Sequence, residues 1–356
     1  MAIVRPYTKA DLEGVTRLRT RTFAGYPEAW YTDWQSSVWR WLKTHQLADE
    51  IHRWVVATDD GEVVGHLAAL PQYYRIGGER VIAHTPADYQ ILPEHGFHAL
   101  SLMRRFFQTA ENCVSCDESA TVIGIQTRMG AQEVGKLRHT VKVNSVTGLA
   151  GFSMAHAPIP RILNTGLMTL DGMLGGVFAR GSQAEVLSGF DDTAFDDLFE
   201  TVTDTLPCVP EKDATFLRWR YGSGSPQYPV TVLGVRPEGD LLGYAVLQVA
   251  ADGDNGWVLD LTTRPGRHDV ARSLLKGVIR HFARAGVRVV RYRFLESPTA
   301  PRTEDLWRLG FFPRNKPGHR LLLLVKFADR EQHKAALDSD NWSYSIGDGE
   351  ATFWIR

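Results

Sequence analysis

The chain has 356 residues, of which 44% are hydrophobic and 23% are charged. These proportions are typical of a globular protein and exclude a disordered or collagen-like chain, and the length predicts about two domains. The 40 Lys and Arg residues against 41 Asp and Glu residues leave a formal net charge of -1. A dedicated nucleic-acid binder would be more basic, so nucleic acid is not expected as a partner.

The predicted location is the cytoplasm. No apolar run approaches the roughly eighteen residues that a membrane-spanning helix needs, so no membrane span is expected. The N-terminal segment 1–14 has no apolar core of the kind that secretory signals carry. Three cysteines are too few for a disulfide framework, which favours a reducing compartment.

In the first half, helical spacing of apolar residues predicts helices, and an Asp-Gly turn between apolar runs predicts a hairpin. The elements in order are a strand at 2–5, a helix through Leu12, Val15 and Leu18, a helix through Val38, Trp41 and Leu42, a hairpin of 54–57 and 63–70, a strand at 81–92, a turn at 93–98, a helix from Ala99, a strand at 114–116, a helix at 120–129 and a strand at 133–143.

The second half predicts the same order of elements. They are a strand at 186–187, a helix at 193–202, a hairpin of 230–235 and 241–249, a strand at 257–261, a helix at 270–283, a strand at 287–293, a helix at 303–309 and a strand at 320–327. A glycine-containing helix at 162–179 could link the halves, and the tail from Asp340 is expected to form a short hairpin.

An internal repeat connects the two halves. Gly61–His66 recurs as Gly239–Tyr244, and Arg128–Ala131 recurs as Arg308–Phe311, about half the chain later. In both halves an aspartate, Asp88 or Asp260, stands five positions before a proline. Coincidence among common glycine and apolar residues is the alternative. The repeat predicts an N-terminal domain at 1–147, a linker at 148–182 and a C-terminal domain at 183–356.

The order β-α-α-β-β-β-α-β-α-β and the segment Asp88–Ser101 resemble the GNAT (Gcn5-related N-acetyltransferase) superfamily. In that family a strand ends in a proline-containing turn that leads into R/Q-x-x-G-x-G/A at a helix start. Aligned on Pro93, the Arg/Gln position falls on Gly96, and the two small-residue positions fall on Ala99 and Ser101. The resemblance implies an α/β fold of two tandem GNAT-like domains, each a mostly antiparallel mixed sheet flanked by helices.

The resemblance also implies acetyl-CoA or another acyl-CoA as co-substrate. Its pyrophosphate would bind exposed amides at the helix N-terminus, where small residues allow close approach. The implied contacts are strand backbone at Gln90, Ile91 and Leu92 for pantetheine, and the turn residues Gly96, Phe97, His98, Ala99, Leu100 and Ser101 for pyrophosphate. Because Gly96 replaces the family's Arg or Gln, a cation would have to come from His95, His98 or Arg104.

The second half departs further from the family pattern. Asp269 and Val270 stand where a pyrophosphate would need small, uncharged residues. We therefore expect the C-terminal domain to be degenerate for cofactor binding.

Three residues are candidate catalytic residues, of which Asp88 and His84 could act as bases and Glu118 could contact substrate. Asp88 lies on the long strand, His84 shares its face four residues earlier, and Glu118 follows the next strand. A hydrogen-bonded structural carboxylate is the alternative for Asp88, and Asp260 at the matching position supports it. The helix at 120–129 contains no Tyr that could protonate a leaving thiolate.

Aromatic residues before the hairpin are candidates for acceptor binding, represented by Tyr26, Trp30 and Trp34, with helix packing as the alternative. No metal is expected, because His95 and His98 have no third ligand at matching spacing. Cys113 and Cys116 have CxxC spacing, but a strand there would make them structural.

The predicted function is acyl transfer from acyl-CoA to an amine or hydroxyl of a small-molecule, sugar or natural-product acceptor, in a cleft between the two domains. A non-catalytic binding protein is the alternative, as is a GNAT fold that takes its donor from a carrier protein or an aminoacyl-tRNA.

Overall fold

The computed structural model describes residues 2–22, 28–145, 183–190, 193–314 and 320–354. The strands are β1 Ala2–Pro6, β2 His52–Thr58, β3 Val63–Ile76, β4 Glu79–Ile91, β5 Cys113–Asp117, β6 Gln132–Lys136, β7 Arg138–Val143, β8 Glu185–Leu187, β9 Cys208–Pro210, β10 Thr231–Val235, β11 Gly243–Val249, β12 Asn255–Thr263, β13 Val289–Phe294, β14 Phe312–Pro313 and β15 Leu322–Lys326.

The helices that follow the same numbering are α1 Leu12–Thr22, α2 Glu28–Leu42, α3 Ala99–Thr109, α4 Ala120–Arg128, α5 Ala194–Thr203, α6 Ala214–Tyr221, α7 His268–Arg284, α8 Thr303–Arg308 and α9 Arg330–Ala336. A 3₁₀ segment, Pro93–His98, joins β4 to α3. The fold is mixed α/β, with two mostly antiparallel mixed sheets and flanking helices, as predicted.

The chain forms two compact units that are discontinuous in sequence. The first comprises residues 1–135, 224–226 and 320–337, and the second comprises 136–223, 227–319 and 338–356. The first sheet runs β1-β2-β3-β4-β5-β15-β6, and the second runs β14-β7-β13-β12-β11-β10-β8.

The two halves of the sequence exchange their last strands. The strand predicted at 133–143 divides into β6, in the first sheet, and β7, which pairs antiparallel with β13 in the second. In return β15, late in the chain, pairs antiparallel with β5 in the first sheet. The prediction that each half closes with its own strand is therefore wrong. The tail is also not a hairpin, because residues from Ser339 onward form short 3₁₀ turns.

Each unit has its own apolar core. In the first, the helix face of Leu102, Met103 and Phe106 on α3 packs on sheet residues such as Leu67. In the second unit, Leu274, Val278 and Phe282 on α7 pack on buried apolar side chains of the second sheet. These faces recur at helical spacing, which is why the helices were predictable. The linking helix predicted at 162–179 lies outside the described residues.

Candidate functional site

Strands β4 and β5 pair between the middle of β4 and the start of β5. Their parallel pairing in the described residues consists of His84 with Cys113, and the strands separate beyond that point. On the other side, β4 stays paired with β3 as far as Ile91 opposite Gly65. The part of β4 that carries the predicted pantetheine residues therefore has one open edge.

Ile91 presents the open edge most directly. The Leu92 amide donates to the Val64 carbonyl at 2.9 Å, so Leu92 uses its amide on the β3 side. Because neighbouring residues of an antiparallel strand bond to opposite sides, the amide and carbonyl of Ile91 point toward the gap. Gln90 is buried, and its side-chain amide donates to Asp88.

The open edge leads into an exposed helix N-terminus. No side chain caps α3, and Ser101 in its first turn is exposed. Tyr89 on β4 donates from its hydroxyl to the Ala99 carbonyl at 2.8 Å, which fixes the helix start against the strand. Phe97 and Leu100 lie beside the backbone amides at the start of α3, and their large apolar side chains are 70% and 42% exposed. An uncapped helix start of this kind attracts anions.

The turn itself supplies little positive charge. Burial, and then the neighbouring His95, lower the pKa of His98, so His98 is neutral near pH 7. A side chain at Gly96 would meet open space, so crowding does not explain this glycine. The backbone amides are thus the main attraction that the turn offers to a phosphate.

Asp88 is buried within a set of hydrogen-bond donors. Its carboxylate contacts the Arg19 guanidinium and lies 3.1 Å from His66 Nδ1. Gln35 donates to it at 3.4 Å. Burial alone would raise the pKa of Asp88, but Arg19 and His66 outweigh it and lower the pKa to about 2. A carboxylate that is this acidic, and has a fully buried side chain, is a poor proton acceptor at neutral pH.

Backbone geometry gives Asp88 a structural reason for its place. Its φ is 51°, and the register of β3 against β4 shifts beside it, which marks a β-bulge. Such a conformation costs free energy for a residue other than glycine. The ion pair and hydrogen bonds to Asp88 hold the bulge, so the geometry favours the structural alternative over the predicted catalytic role.

The half-buried Arg53 continues this network. Arg53 donates from Nε to His66 Nε2 at 3.2 Å, and His66 Nδ1 faces Asp88. The guanidinium carbon of Arg53 lies 3.6 Å from the Tyr7 ring centroid and 3.7 Å from the Trp39 ring centroid. Rings on both faces stabilise this cation where it has little water. The aromatic residue Trp39 is therefore part of the packing.

The other two predicted catalytic residues lie apart from Asp88. His84 is buried where β4 and β5 meet, and Glu118 is exposed just after β5. Asp117, which is not among the residues predicted from the sequence, is the last residue of β5. Burial raises the pKa of Asp117, against hydrogen bonds from the Ser119 and Glu118 amides that lower it. The Asp117 carboxylate accepts hydrogen bonds from the Ser119 amide at 2.8 Å and from Gln126 Nε2 at 3.5 Å. Burial, and to a lesser degree the charge of Asp117, raise the pKa of Tyr89.

Of the three residues predicted to bind the acceptor, Trp34 is the one whose side chain the structure describes. Tyr26 lies outside the described residues, and Trp30 lies in α2 with a side chain that is not described. Trp34 is half-buried on the same helix, whereas Trp39 and Trp41 are buried. Cys113 and Cys116 both lie in β5, and burial raises the pKa of Cys113, as expected for a structural thiol.

The second unit repeats the buried carboxylate with different partners. Tyr244 donates to Asp260 at 2.8 Å, and Lys212 Nζ lies 3.1 Å from the same carboxylate. Lys212 also pairs with Asp348 at 2.9 Å. All of these side chains are buried.

The tail of the chain fills the gap between strands in the second unit. Strands β12 and β13 pair from Asn255 to Val258 and then separate. Beyond that point, Leu295 donates to the Tyr344 carbonyl at 2.8 Å, and Ser345 forms a bridge with Phe294. A Cβ on Gly347 would lie 2.6 Å from the Leu259 carbonyl oxygen, so the tail backbone packs directly against β12.

The helix start of the second unit is also unlike the first. Asp269 lies in the first turn of α7, where it pairs with Arg267 at 2.7 Å, and Val270 is buried. A carboxylate at this position repels phosphate. The open strand edge followed by an uncharged helix start is a feature of the first unit.

Residues 3–113 match a family model described as an acetyltransferase (GNAT) domain. This stretch of the chain is therefore similar to a GNAT domain. This match covers β1 to the start of β5 and includes the open edge and the start of α3. The two sheets agree with a tandem arrangement of GNAT-type units.

Solved structures with the GNAT fold resemble the whole chain. A probable N-acyltransferase from Enterococcus faecalis is 11% identical with a TM-score of 0.55, over 93% of this chain and 74% of that one. A GCN5-related N-acetyltransferase from Kribbella flavida is 16% identical with a TM-score of 0.57, over 92% and 72%. The Saccharomyces cerevisiae N-myristoyltransferase with bound myristoyl-CoA is 11% identical with a TM-score of 0.60, over 91% and 78%.

At these low identities, the TM-scores show a shared fold alone. A search of curated protein sequences finds no significant match. Among the described residues, no helix is long and apolar enough to cross a membrane.

Proposed function

We propose that this GNAT protein is an acyl-CoA-dependent N-acyltransferase whose cofactor site lies in the first unit. One observation carries the proposal. The open edge of β4 at Ile91 is followed, after the 3₁₀ segment Pro93–His98, by the start of α3, which no side chain caps. An extended amide chain that ends in a pyrophosphate fits such a surface, because the strand offers backbone bonds and the helix start offers amides.

Different residues of the first unit would bind different parts of acyl-CoA. Ile91, flanked by Gln90 and Leu92, would exchange backbone hydrogen bonds with pantetheine. The amides of Leu100 and Ser101 would bind the pyrophosphate, since the Ala99 amide already donates to the Gly96 carbonyl. The exposed side chains of Phe97 and Leu100 would be covered by the nucleotide. When bound, acyl-CoA supplies an activated thioester.

Asp117 is the general base that the geometry supports best. It lies at the end of β5, and its raised pKa makes it a better proton acceptor than Asp88. It would accept the proton that an acceptor amine loses as the amine nitrogen bonds to the acyl carbon and the carbon–sulfur bond breaks. Glu118 is the neighbouring alternative, and Trp34 is a candidate contact for a small-molecule acceptor.

Calorimetric titration with acetyl-CoA and with coenzyme A tests the cofactor site. Ser101→Asp places a negative charge at the exposed start of α3, and it should abolish binding while leaving the fold intact. Gln108→Asp adds the same charge at an exposed position near the end of the helix and serves as the matched control. Binding by wild type and Gln108→Asp, but not by Ser101→Asp, is the expected result.

Two other results would count against the proposal. Equal binding by all three proteins would remove the pyrophosphate site from α3. No binding by any of them, with native unfolding curves, would favour a non-catalytic protein or a donor held by a carrier protein or tRNA. The absence of Tyr from α4 is the observation that keeps a non-catalytic role as the second candidate.

A further inference from the structure

A second cluster of ligand-type side chains lies away from the open edge of β4. One carboxylate oxygen of Glu50 and one ring nitrogen each of His52 and His84 lie within 4.8 Å of one another. Glu50 belongs to a short 3₁₀ turn just before β2, His52 begins β2, and His84 lies on β4. We propose that Glu50, His52 and His84 form a binding site for a divalent transition-metal ion, with Zn²⁺ as the best fit.

Sheet register explains how three residues so distant in sequence meet. Strands β2 and β4 both pair with β3, where His52 lies opposite Ala69 and His84 opposite Pro71. Residues two apart on a strand point to the same face, so both imidazoles lie on one face of the sheet. Their ring centroids are 6.0 Å apart across the central strand.

The hydrogen bonding of His84 prepares it as a ligand. Its Nε2 lies 3.2 Å from the Glu50 backbone carbonyl, which can only accept, so Nε2 carries the hydrogen. The other nitrogen, Nδ1, is buried and has no hydrogen-bond partner, on a side chain that is 7% exposed. Because Nε2 carries the hydrogen, the neutral imidazole has its free lone pair on Nδ1.

This arrangement has the second interaction that metal-bound histidines usually show. A histidine that binds metal through one nitrogen commonly donates from the other to a carbonyl or carboxylate, which fixes the ring. Here the Glu50 carbonyl fulfils that role before any ion is present. An unpartnered buried nitrogen otherwise costs free energy, and a metal ion would satisfy it.

The donor set selects the type of ion. Two imidazoles and one carboxylate suit Zn²⁺ and the neighbouring first-row divalent ions, whereas Ca²⁺ and Mg²⁺ prefer all-oxygen sites. Tetrahedral ligands at about 2.1 Å from zinc lie about 3.4 Å from one another. The exposed Glu50 and half-buried His52 side chains can close that difference, and the fourth position would be left to water.

The site is distinct from the proposed cofactor site. His84 lies seven residues from Ile91 on β4, which is about 20 Å along a strand. The proposal therefore stands whether or not the protein binds acyl-CoA. A bound ion would join the turn before β2 to β4 and would stabilise the folded first unit.

Metal titration of the full-length, tag-free protein tests the site after treatment with a chelator. Co²⁺ reports ligand geometry through its visible spectrum, and Zn²⁺ is measured by calorimetry and by the rise in thermal midpoint. Wild type should bind one equivalent of Zn²⁺. Glu50→Gln and His52→Gln should weaken binding at least about tenfold, as removal of one ligand does.

The variants are chosen so that misfolding does not confuse the result. Glu50 is exposed, so Glu50→Gln should fold normally, and His84→Gln can be added if its unfolding curve is native. His281→Gln on α7 and Glu111→Gln are the matched controls and should bind as wild type. No saturable binding of Zn²⁺ by wild type would overturn the proposal, as would equal binding by Glu50→Gln and His52→Gln, or equal loss in the controls.

Discussion

His66 in the first unit and Tyr244 in the second hold equivalent positions beside a buried carboxylate. His66 Nδ1 lies 3.1 Å from Asp88, and the Tyr244 hydroxyl donates to Asp260 at 2.8 Å. Each donor pairs across the sheet with the residue two positions after its aspartate, Gln90 or Thr262. Gln90 and Thr262 also donate to the same aspartates. The sequence repeat is therefore also a repeat of hydrogen bonding.

The first prediction concerns the acid stability of the Asp88 network. The pKa of Asp88 is about 2 in the folded protein, because Arg19 and His66 outweigh burial, and it is about 3.9 in an unfolded chain. A carboxyl group with a lowered folded-state pKa stabilises the fold above its unfolded pKa. That contribution is lost as the pH falls through the folded value. We expect Asp88 to contribute on the order of 2 kcal/mol that disappears between about pH 5 and pH 2.

Urea unfolding at a series of pH values measures this contribution. Asp88→Asn removes the partner of a buried guanidinium and should lower the free energy of unfolding at pH 7 by about 3 kcal/mol. It should also flatten the dependence on pH in the acid range. Asp204→Asn, at an exposed position, should leave both unchanged. If Asp88→Asn unfolds like wild type at both pH 7 and pH 3, the network does not stabilise the fold.

The second prediction separates catalysis from cofactor binding. Once a screen of amines identifies an acceptor by thiol release, Asp117→Asn should lower kcat about 100-fold or more, because it cannot accept a proton. The KM for acyl-CoA should change little. Since burial raises the pKa of Asp117, the wild-type rate should fall toward acidic pH as this group is protonated.

Glu118→Gln is the matched control for Asp117→Asn. It changes the adjacent exposed carboxylate and should retain most of the rate. A loss of rate in Glu118→Gln, with Asp117→Asn fully active, would assign the base to Glu118 and contradict the prediction.

The third prediction concerns the tail of the second unit. Buried Arg220 on α6 donates to the carbonyl oxygens of Gly347 and Gly349, both at 3.0 Å. Arg220→Met leaves these acceptors without a charged donor and should lower the free energy of unfolding by about 2–3 kcal/mol. Limited proteolysis should then cut near Trp342, which is fully buried in the wild type.

The matched control is Arg218→Met on the same helix. Arg218 is exposed, and its substitution should change stability by about 0.5 kcal/mol or less. Equal resistance of Arg220→Met and Arg218→Met to protease would show that Arg220 does not hold the tail.

The fourth prediction uses the strand exchange. A fragment of residues 1–147 lacks β15, so the edge of β5 at Val114 and Ser115 would be unpaired and open to aggregation. We expect this fragment to aggregate. A chain that joins residues 1–135 to 320–337 through a flexible linker should stay monomeric and unfold cooperatively in circular dichroism. A cooperative, monomeric fragment 1–147 would show that the exchanged strand is dispensable.

The sequence by itself determined much of the local structure. Apolar spacing located α1, α3 and α7, because a buried helix face requires side chains at that spacing. The motif from Asp88 to Ser101 and the repeat together predicted the GNAT fold. The turn at Pro93 was predictable because proline restricts the backbone locally, whereas glycine gives it more conformational freedom.

Only the tertiary structure decided the partners of buried polar groups. Nothing near Asp88 in sequence shows that Arg19 and His66 lower its pKa, and nothing near His84 shows that Glu50 and His52 lie beside it. The exchange of β7 and β15 could not be predicted either, because the local sequence of a short strand does not specify which of the two sheets it joins. Local propensity depends on near neighbours in the chain, whereas ion pairs, ligand clusters and strand order depend on contacts between distant segments that form only when the sheets assemble.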